Sequence, residues 1–282
     1  MRAGRLLGAV APVPVRTDDL AEAGELLATH GACVVPWRAA DRWAVIAAGE
    51  AVLGPRALIR WEPRTLRTHP EPGMRKRVVR EQRLILEGTS DERVEGLLQS
   101  PPAGVAVEGW GLGDAYPDTV GFLCAREPAA GGADFLVDGA ALLASFGSTD
   151  DGREPARLLS SASVVLRTHP QHPPQEVVLA RRSPKGRAAI LYAPSSLLPR
   201  LDETGEPDAA SRAALRWNEL VLAVAADAPR FDLRRDEALL VDNYRMYHGR
   251  DGYLGDREVY RGWFWTDTAF AYPMVTEDAG EP

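Results

Sequence analysis

Lysine is almost missing from this chain. Lys76 and Lys185 are the only lysines among 33 basic residues, and 40 acidic residues bring the net charge to −7. An acidic protein of this kind does not offer the positive surface that nucleic acids or anionic membranes require. We therefore exclude both as partners. The preference for arginine, together with the alanine and glycine content, indicates a GC-rich coding bias.

Cysteine and long apolar runs are also scarce. Cys33 and Cys124 are the only cysteines, and both lie in apolar segments typical of buried strands. A cysteine-poor chain of this length is typical of a reducing compartment. No stretch is long and apolar enough to span a bilayer. The apolar run at 6–10 is short and is followed by Pro12 and Pro14, which does not fit a signal peptide. We expect a cytoplasmic protein.

No Gly-x-Gly-x-x-Gly or phosphate-loop motif follows a predicted strand, so nucleotide binding has no support. The chain instead has many short strand patterns separated by turn signals, with a few covering helices. This arrangement favours a mainly β fold with flanking helices, a jelly roll, over a parallel sheet. A length of 282 residues with 45% hydrophobic content is enough for one large core. We expect a single domain over residues 1–282.

Several elements can be placed from local signals. A helix is predicted to start after Thr17-Asp18-Asp19 and to end before Gly31, and a strand follows at Ala32–Trp37. The strongest helix pattern covers Asp208–Ala226. Asp91–Gln99 is predicted to be a short helix. The polar segment Gly147–Glu154 is predicted to be an exposed linker with a turn.

The most informative stretch runs from Glu237 to Trp265. It begins with an apolar strand and contains His248, and after a glycine-rich loop a further strand carries Arg257 and Arg261. Imidazole can ligate a metal or move protons near neutral pH. Guanidinium groups hold carboxylates through two parallel hydrogen bonds. A histidine and two arginines on paired strands predict a pocket for an anionic small molecule.

This stretch resembles the C-terminal motif of the iron(II)/2-oxoglutarate dioxygenases, in the taurine-dioxygenase and clavaminate-synthase branch. The matching residues are Asp242, Asn243, Arg245, His248, Gly249 and Arg250, followed by Arg257 and Arg261. The resemblance implies a double-stranded β-helix with iron(II) and 2-oxoglutarate as cofactors. It also implies that His248 is the last of three metal ligands, that Arg257 grips the 2-oxoglutarate carboxylate and that Arg261 faces the substrate.

The family pattern changes where the first two iron ligands are expected. The family has a His-x-Asp or His-x-Glu motif, and the alignment of the segment that starts at Trp110 places Gly111 and Gly113 at these two positions, within Gly-Leu-Gly. Glycine has no side-chain donor. The threonine that helps to hold 2-oxoglutarate in the family is replaced by Asp134, whose carboxylate would repel a 2-oxoacid.

A degenerate facial triad follows from this alignment. A non-haem iron oxygenase holds its metal with two histidines and one carboxylate. We therefore expect no tight iron at the usual position, with His248 the only matching metal ligand. Two alternatives could supply donors: Asp114, next to Gly113, or a loop histidine, for which the candidates are His69, His169 and His172.

Three hypotheses follow. The first is a small-molecule tailoring enzyme on this scaffold, acting on an amino-acid-like or carboxylate-bearing metabolite in a bacterial biosynthetic pathway without standard iron-dependent hydroxylation. The second is a genuine oxygenase with non-standard ligands. The third is a catalytically silent partner of an active dioxygenase, and a homodimer is the other assembly considered. In the first hypothesis His248 is the general acid or base. The other site residues predicted for it are Asp114 as a catalytic group, Arg257 and Arg261 as carboxylate holders, and Trp110, Tyr116 and Asp134 at the substrate.

Overall fold

A computed structural model of the chain describes residues 10–60, 83–84, 103–167, 173–193, 196–254 and 257–273. Strands predominate in these ranges and five α-helices flank them. The strands are β1 Val15–Arg16, β2 Ala32–Pro36, β3 Ala57–Arg60, β4 Arg83–Leu84, β5 Ala103–Ala106, β6 Thr119–Arg126, β7 Ala130–Gly131, β8 Asp134–Asp138, β9 Ser163–Leu166, β10 Gln175–Val178, β11 Ala180–Arg182, β12 Ala188–Ile190, β13 Leu197–Leu198, β14 Glu237–Asp242, β15 Met246–Arg250, β16 Tyr253–Leu254 and β17 Glu258–Thr266. The helices are α1 Leu20–His30, α2 Ala44–Leu53, α3 Gly139–Gly147, α4 Asp150–Ser161 and α5 Ala209–Asp227, with 3₁₀ turns at Gly54–Arg56 and Trp110–Ala115.

The main sheet has the strand order β1-β2-β14-β6-β17-β3, and β4 also pairs with β17. Strands β2, β14, β6 and β17 are antiparallel neighbours. Helices α1 and α2 cover one face of this sheet. Leu27 of α1 and Val45 of α2 share an apolar cluster with Leu240 of β14 and Phe264 of β17. The opposite face of the main sheet is therefore left for a second layer.

The second sheet has the order β5-β15-β8, with β15 antiparallel to both neighbours. Phe122 and Leu239 of the main sheet lie in one buried cluster with Leu136 and Met246 of the second sheet. The two sheets therefore face each other. His248 of β15 lies on the second sheet, while Arg257 and Arg261 precede or belong to β17 of the main sheet. The prediction that they lie on paired strands is wrong, because β15 and β17 are opposed across the interior rather than hydrogen-bonded.

Helices α3, α4 and α5 cover the outer face of the second sheet. Side chains alternate along an extended strand, so Tyr247 points away from the interior that its neighbours Met246 and His248 face. Tyr247 packs in a large cluster with Leu142 of α3 and Trp217 of α5. None of the described helices is both long and apolar enough to cross a membrane.

Local signals located most of these elements. Asp19 caps α1 through hydrogen bonds from the backbone N–H groups of residues 21 and 22, and Gly31 ends it with a φ of 81°. Asp208 caps α5 in the same way. The linker predicted at Gly147–Glu154 is wrong: Thr149 accepts a hydrogen bond from the Gly152 N–H and starts α4. The predicted helix at 91–99 lies outside the described residues.

Candidate functional site

A cavity of about 300 Å³ lies between the two sheets. This volume is at the lower end of the range for small-molecule sites, which is roughly 300–1,000 Å³. The polar lining residues are Glu108, Asp134, His248, Arg250 and Arg257, and most of the remaining lining is apolar, with Phe122, Phe135, Leu136, Leu233, Leu239 and Val259. A mostly apolar wall with a few charged groups suits a small ligand that has an apolar body and a charged end.

His248 lines this cavity. Its Nε2 lies 3.4 Å from Oε1 of Glu108, and its ring lies 5.0 Å from the ring of Phe122. Nδ1 is buried and has no hydrogen-bond partner among the described residues. The adjacent position must be glycine, because a Cβ at Gly249 would collide with the ring of Phe135. His248 therefore has one carboxylate neighbour and one uncommitted ring nitrogen.

Glu108 joins His248 to Arg261. One carboxylate oxygen faces His248 and the other accepts a hydrogen bond from Arg261 Nη1. Burial raises the pKa of Glu108, but Arg261 and His248 outweigh burial and lower the pKa to about 2. Glu108 is therefore an anion at neutral pH. A fixed carboxylate beside an imidazole orients the ring and stabilises its protonated form.

The cavity lining also includes Asp134, Arg257 and Arg250. Arg257 is 7% exposed and its Nη2 donates to Asp134 Oδ2 at 2.7 Å, while its Nε is buried without a partner among the described residues. Burial raises the pKa of Asp134 to about 6, although Arg257 and Arg250 pull it down. Arg250 lies over the Tyr253 ring, 4.6 Å from its centroid. The arginine expected to grip a cofactor is thus paired with a carboxylate of the chain itself.

The other residues of the C-terminal motif hold the framework. Arg187 bridges the buried carboxylates of Asp118 and Asp242, each at 2.7 Å. Arg245 Nε donates to Asp138 at 2.8 Å. These pairs tie β14 and β15 to β6 and β8, which fixes the two strands that carry the cavity wall.

Four residues predicted at the substrate or as catalytic groups lie outside the cavity lining. One is Arg261, which pairs with Glu108, and the other three belong to the segment that follows β5. Asp114 is exposed and pairs with Arg181 at 2.6 Å. Tyr116 is buried under Tyr244, with ring centroids 4.7 Å apart. Trp110 packs on the cluster of the outer helices. The cause is local: the chain turns after β5 at a glycine with a φ of 67° and enters the 3₁₀ turn Trp110–Ala115, which leads away from the cavity.

The sequence analysis missed Glu108. The described carboxylate beside His248 is Glu108, five residues before the glycine that the alignment placed at the carboxylate position. The signal that could have found it is the strand register, because Ala106 pairs with His248 across β5 and β15 and Glu108 follows two residues later. Glycine 111 and glycine 113 lie instead in the 3₁₀ turn.

The described residues do not fit the family's cofactors. They contain no group of three histidine, cysteine, aspartate or glutamate side chains that could hold a metal ion, whereas a facial triad needs three donors. His248 and Glu108 supply two. Asp134 already occupies Arg257, to which a 2-oxoglutarate carboxylate would bind. The alternative donors His69, His169 and His172 lie outside the described residues.

Comparison with solved structures shows the fold. A taurine dioxygenase from Burkholderia xenovorans matches with a TM-score of 0.57 and 15% identity, covering 92% of this chain and 87% of that one. The PvcB protein from Pseudomonas aeruginosa matches with a TM-score of 0.56 and 14% identity, covering 92% and 84%. An asparagine oxygenase, solved with Fe(II), 3-hydroxyasparagine and succinate, has a TM-score of 0.51 and 17% identity, covering 88% and 78%.

No curated protein matches the sequence. The model of the family described as taurine catabolism dioxygenase TauD, TfdA matches residues 8–263, which is most of the 282-residue chain. The chain belongs to the TauD, TfdA family.

Proposed function

We propose that this protein is an enzyme that transfers protons on a small carboxylate-bearing metabolite, on a double-stranded β-helix and without a three-ligand iron site. The observation that carries the proposal is the arrangement of charges in the cavity. Both arginines expected to hold external anions are bonded to the chain's own carboxylates, Arg257 to Asp134 and Arg261 to Glu108. His248 lines the cavity, and the described carboxylate within hydrogen-bond reach of its ring is that of Glu108.

The contact between Glu108 and His248 is explained if both residues occupy iron-ligand positions of the family. We infer that Ala106 and Glu108, rather than Gly111 and Gly113, stand at the two positions of the His-x-Glu motif. Support comes from the pairing of Ala106 with His248 and from the contact between Glu108 and His248. The chain then retains the carboxylate and one histidine and lacks the other histidine.

Two of these groups can act as an acid–base pair. If Nε2 carries the proton and donates to Glu108, the lone pair on Nδ1 is uncommitted. Nδ1 is buried, so the ring must turn toward the cavity for this nitrogen to take a proton from a bound molecule. Glu108 then stabilises the imidazolium that forms, since its own pKa is held at about 2. A general base in this position contributes roughly 10²–10⁴-fold to a rate.

The test uses phenylpyruvate, a monocarboxylate with an apolar ring and acidic hydrogens at C3 next to its ketone. In D2O, a base takes one C3 proton and the carbon then takes up a deuteron, with no oxidant or reductant involved. We expect the wild-type protein to accelerate this exchange, measured by proton NMR, by about 100-fold over buffer. His248→Gln should return the rate to that of buffer, and a chelator should have no effect.

His30→Gln is the matched control, because His30 is an exposed residue at the end of α1, and this variant should exchange like the wild type. Loss of exchange on chelation would point to the genuine oxygenase with unusual ligands. Wild-type exchange no faster than buffer would contradict proton transfer and leave the silent partner as the better account.

A further inference from the structure

We propose that Arg250 is an anion-binding residue of the cavity and that the ligand it binds carries a single carboxylate on an apolar body. This inference rests on the proposed function, because it names the substrate class of the same site. Its first support is a count of charges. Two guanidinium groups, of Arg250 and Arg257, line the cavity together with the carboxylates of Asp134 and Glu108. Asp134 pairs with Arg257, and Glu108 pairs with Arg261, which lies outside the lining.

Arg250 is the cavity arginine whose guanidinium is in no ion pair with a described residue. Among the described residues it makes no ion pair, and its one hydrogen bond runs from Nη1 to the carbonyl of Asp251 at 2.6 Å. The side chain of Asp251 is not available to it, because that carboxylate binds Arg230 through two hydrogen bonds, at 3.0 and 3.2 Å. The arginine fork therefore has donors to offer to a ligand.

The guanidinium of Arg250 is partly buried, and a bound anion would compensate for its lost hydration. Desolvation lowers the pKa of Arg250, and the nearby Arg257 lowers it further. Arg257 itself is more than nine-tenths buried, lines the cavity and keeps an unpartnered Nε. Two adjacent arginines thus share the single carboxylate of Asp134. An incoming carboxylate relieves their repulsion and can satisfy the unused N–H groups.

The same charges limit what can bind. One surplus cation is neutralised by one carboxylate, whereas a second carboxylate on the ligand would meet Asp134 or Glu108 without a free guanidinium to accept it. The ammonium group of an amino acid would likewise face a site whose carboxylates are already paired. The apolar side chains that make up the rest of the wall favour a hydrocarbon or aromatic body. A monocarboxylate is therefore preferred over both an amino acid and a dicarboxylate.

The experiment measures the dissociation constants of 3-phenylpropionate and of its neutral amide, 3-phenylpropanamide, by calorimetry. For the wild type we expect the carboxylate to bind about tenfold more tightly than the amide, because hydrogen bonds between a guanidinium and a carboxylate are charge-assisted. Arg250→Gln should remove this preference, and Arg250→Lys should keep part of it because the charge remains. Arg153→Gln, which changes an exposed arginine on α4, should behave like the wild type.

Thermal melting of each variant checks that the fold is intact. An Arg250→Gln variant that melts normally and still prefers the carboxylate overturns the proposal. So does a wild type that binds the two ligands equally or fails to bind the carboxylate at all. These outcomes concern recognition alone, since 3-phenylpropionate has no acidic hydrogen next to a ketone. They are therefore distinct from a failure of the exchange reaction.

Discussion

The side-chain amide of Asn243 forms hydrogen bonds with both the backbone N–H and the backbone carbonyl of Glu108. The Glu108 N–H donates to Asn243 Oδ1 at 2.8 Å, and Asn243 Nδ2 donates to the Glu108 carbonyl at 3.0 Å. The same Nδ2 also donates to the Pro117 carbonyl at 2.7 Å. The side chain of this asparagine therefore satisfies the Glu108 backbone as a neighbouring β-strand would. It keeps the Glu108 carboxylate beside His248 although Glu108 lies beyond the end of β5.

Replacing Asn243 should loosen this arrangement. Asn243→Ala removes the partner of the Glu108 N–H and of the Glu108 and Pro117 carbonyls, and each group left unsatisfied and shielded from water costs about 1–3 kcal/mol. We expect a loss of about 2–4 kcal/mol in the free energy of unfolding, measured by urea denaturation. Asn243→Asp keeps the acceptor for the Glu108 N–H but loses both donors, so it should also destabilise. An Asn243→Ala variant as stable as the wild type would show that these bonds are not formed.

Glu108 should make stability depend on pH. Its pKa is lowered in the folded protein to about 2 from an ordinary value of 4.5, so its contribution is complete above about pH 4.5 and declines as the pH falls toward 2. The free-energy difference between the wild type and Glu108→Gln should reach at most about 3 kcal/mol near neutral pH. It should shrink between pH 5 and pH 3 in denaturation curves.

Glu154→Gln provides the comparison for that series. Glu154 pairs with Arg157 on the exposed face of α4, where an ion pair contributes little. The free energy of unfolding of Glu154→Gln should stay close to that of the wild type at every pH. A Glu108→Gln difference that does not change with pH would contradict the paired carboxylate at Glu108.

Asp134 should make ligand binding tighter as the pH falls, whereas the stability contributed by Glu108 declines as the pH falls. Because its pKa is raised to about 6, Asp134 is ionised at pH 7.5 and competes with a ligand carboxylate for Arg257 and Arg250. As the pH falls to 5.5, its protonation frees Arg257, and 3-phenylpropionate should bind up to about tenfold more tightly. His248 also lies at the cavity and is retained in Asp134→Asn, so this variant isolates the part that belongs to Asp134. Equal pH dependence in both proteins would refute the role given to Asp134.

Ala106 offers a gain-of-function test of the metal site. Position 106 pairs with His248 across β5 and β15, and Glu108 contacts His248, so a histidine introduced at 106 should join Glu108 and His248 as a third donor. We expect Ala106→His to bind Co(II) with about one ion per chain, measured by calorimetry and metal analysis, while the wild type does not. Ala106→Gln is the control for the added side chain. No gain of binding in Ala106→His would argue against the assignment of position 106.

The sequence predicted the framework better than the site. Capping by Asp19 and Asp208 and the alternation of apolar residues placed α1, α5 and the strands, because these signals are local. The helix α4 was missed because Asp150-Asp151-Gly152 is a common turn sequence, whereas here Thr149 caps it and the buried Leu159 packs it against the core.

The site depends on contacts between distant segments. Asp134 and Arg257 are 123 residues apart, and Glu108 and His248 are 140 apart. An alignment anchored on Tyr116 could not show that the chain turns away from the cavity after Glu108. The motif did identify His248 and Arg257 as cavity residues, since their positions follow from the strands β15 and β17.

An anaerobic titration of the wild-type protein with Fe(II), with and without 2-oxoglutarate, tests the central claim most directly. The bound metal is counted after dialysis, and 2-oxoglutarate binding is followed by calorimetry. The account predicts that iron is lost on dialysis and that 2-oxoglutarate releases no heat of binding, since His248 and Glu108 are two donors and Arg257 is already paired. Retention of one iron per chain together with stoichiometric 2-oxoglutarate binding would contradict it.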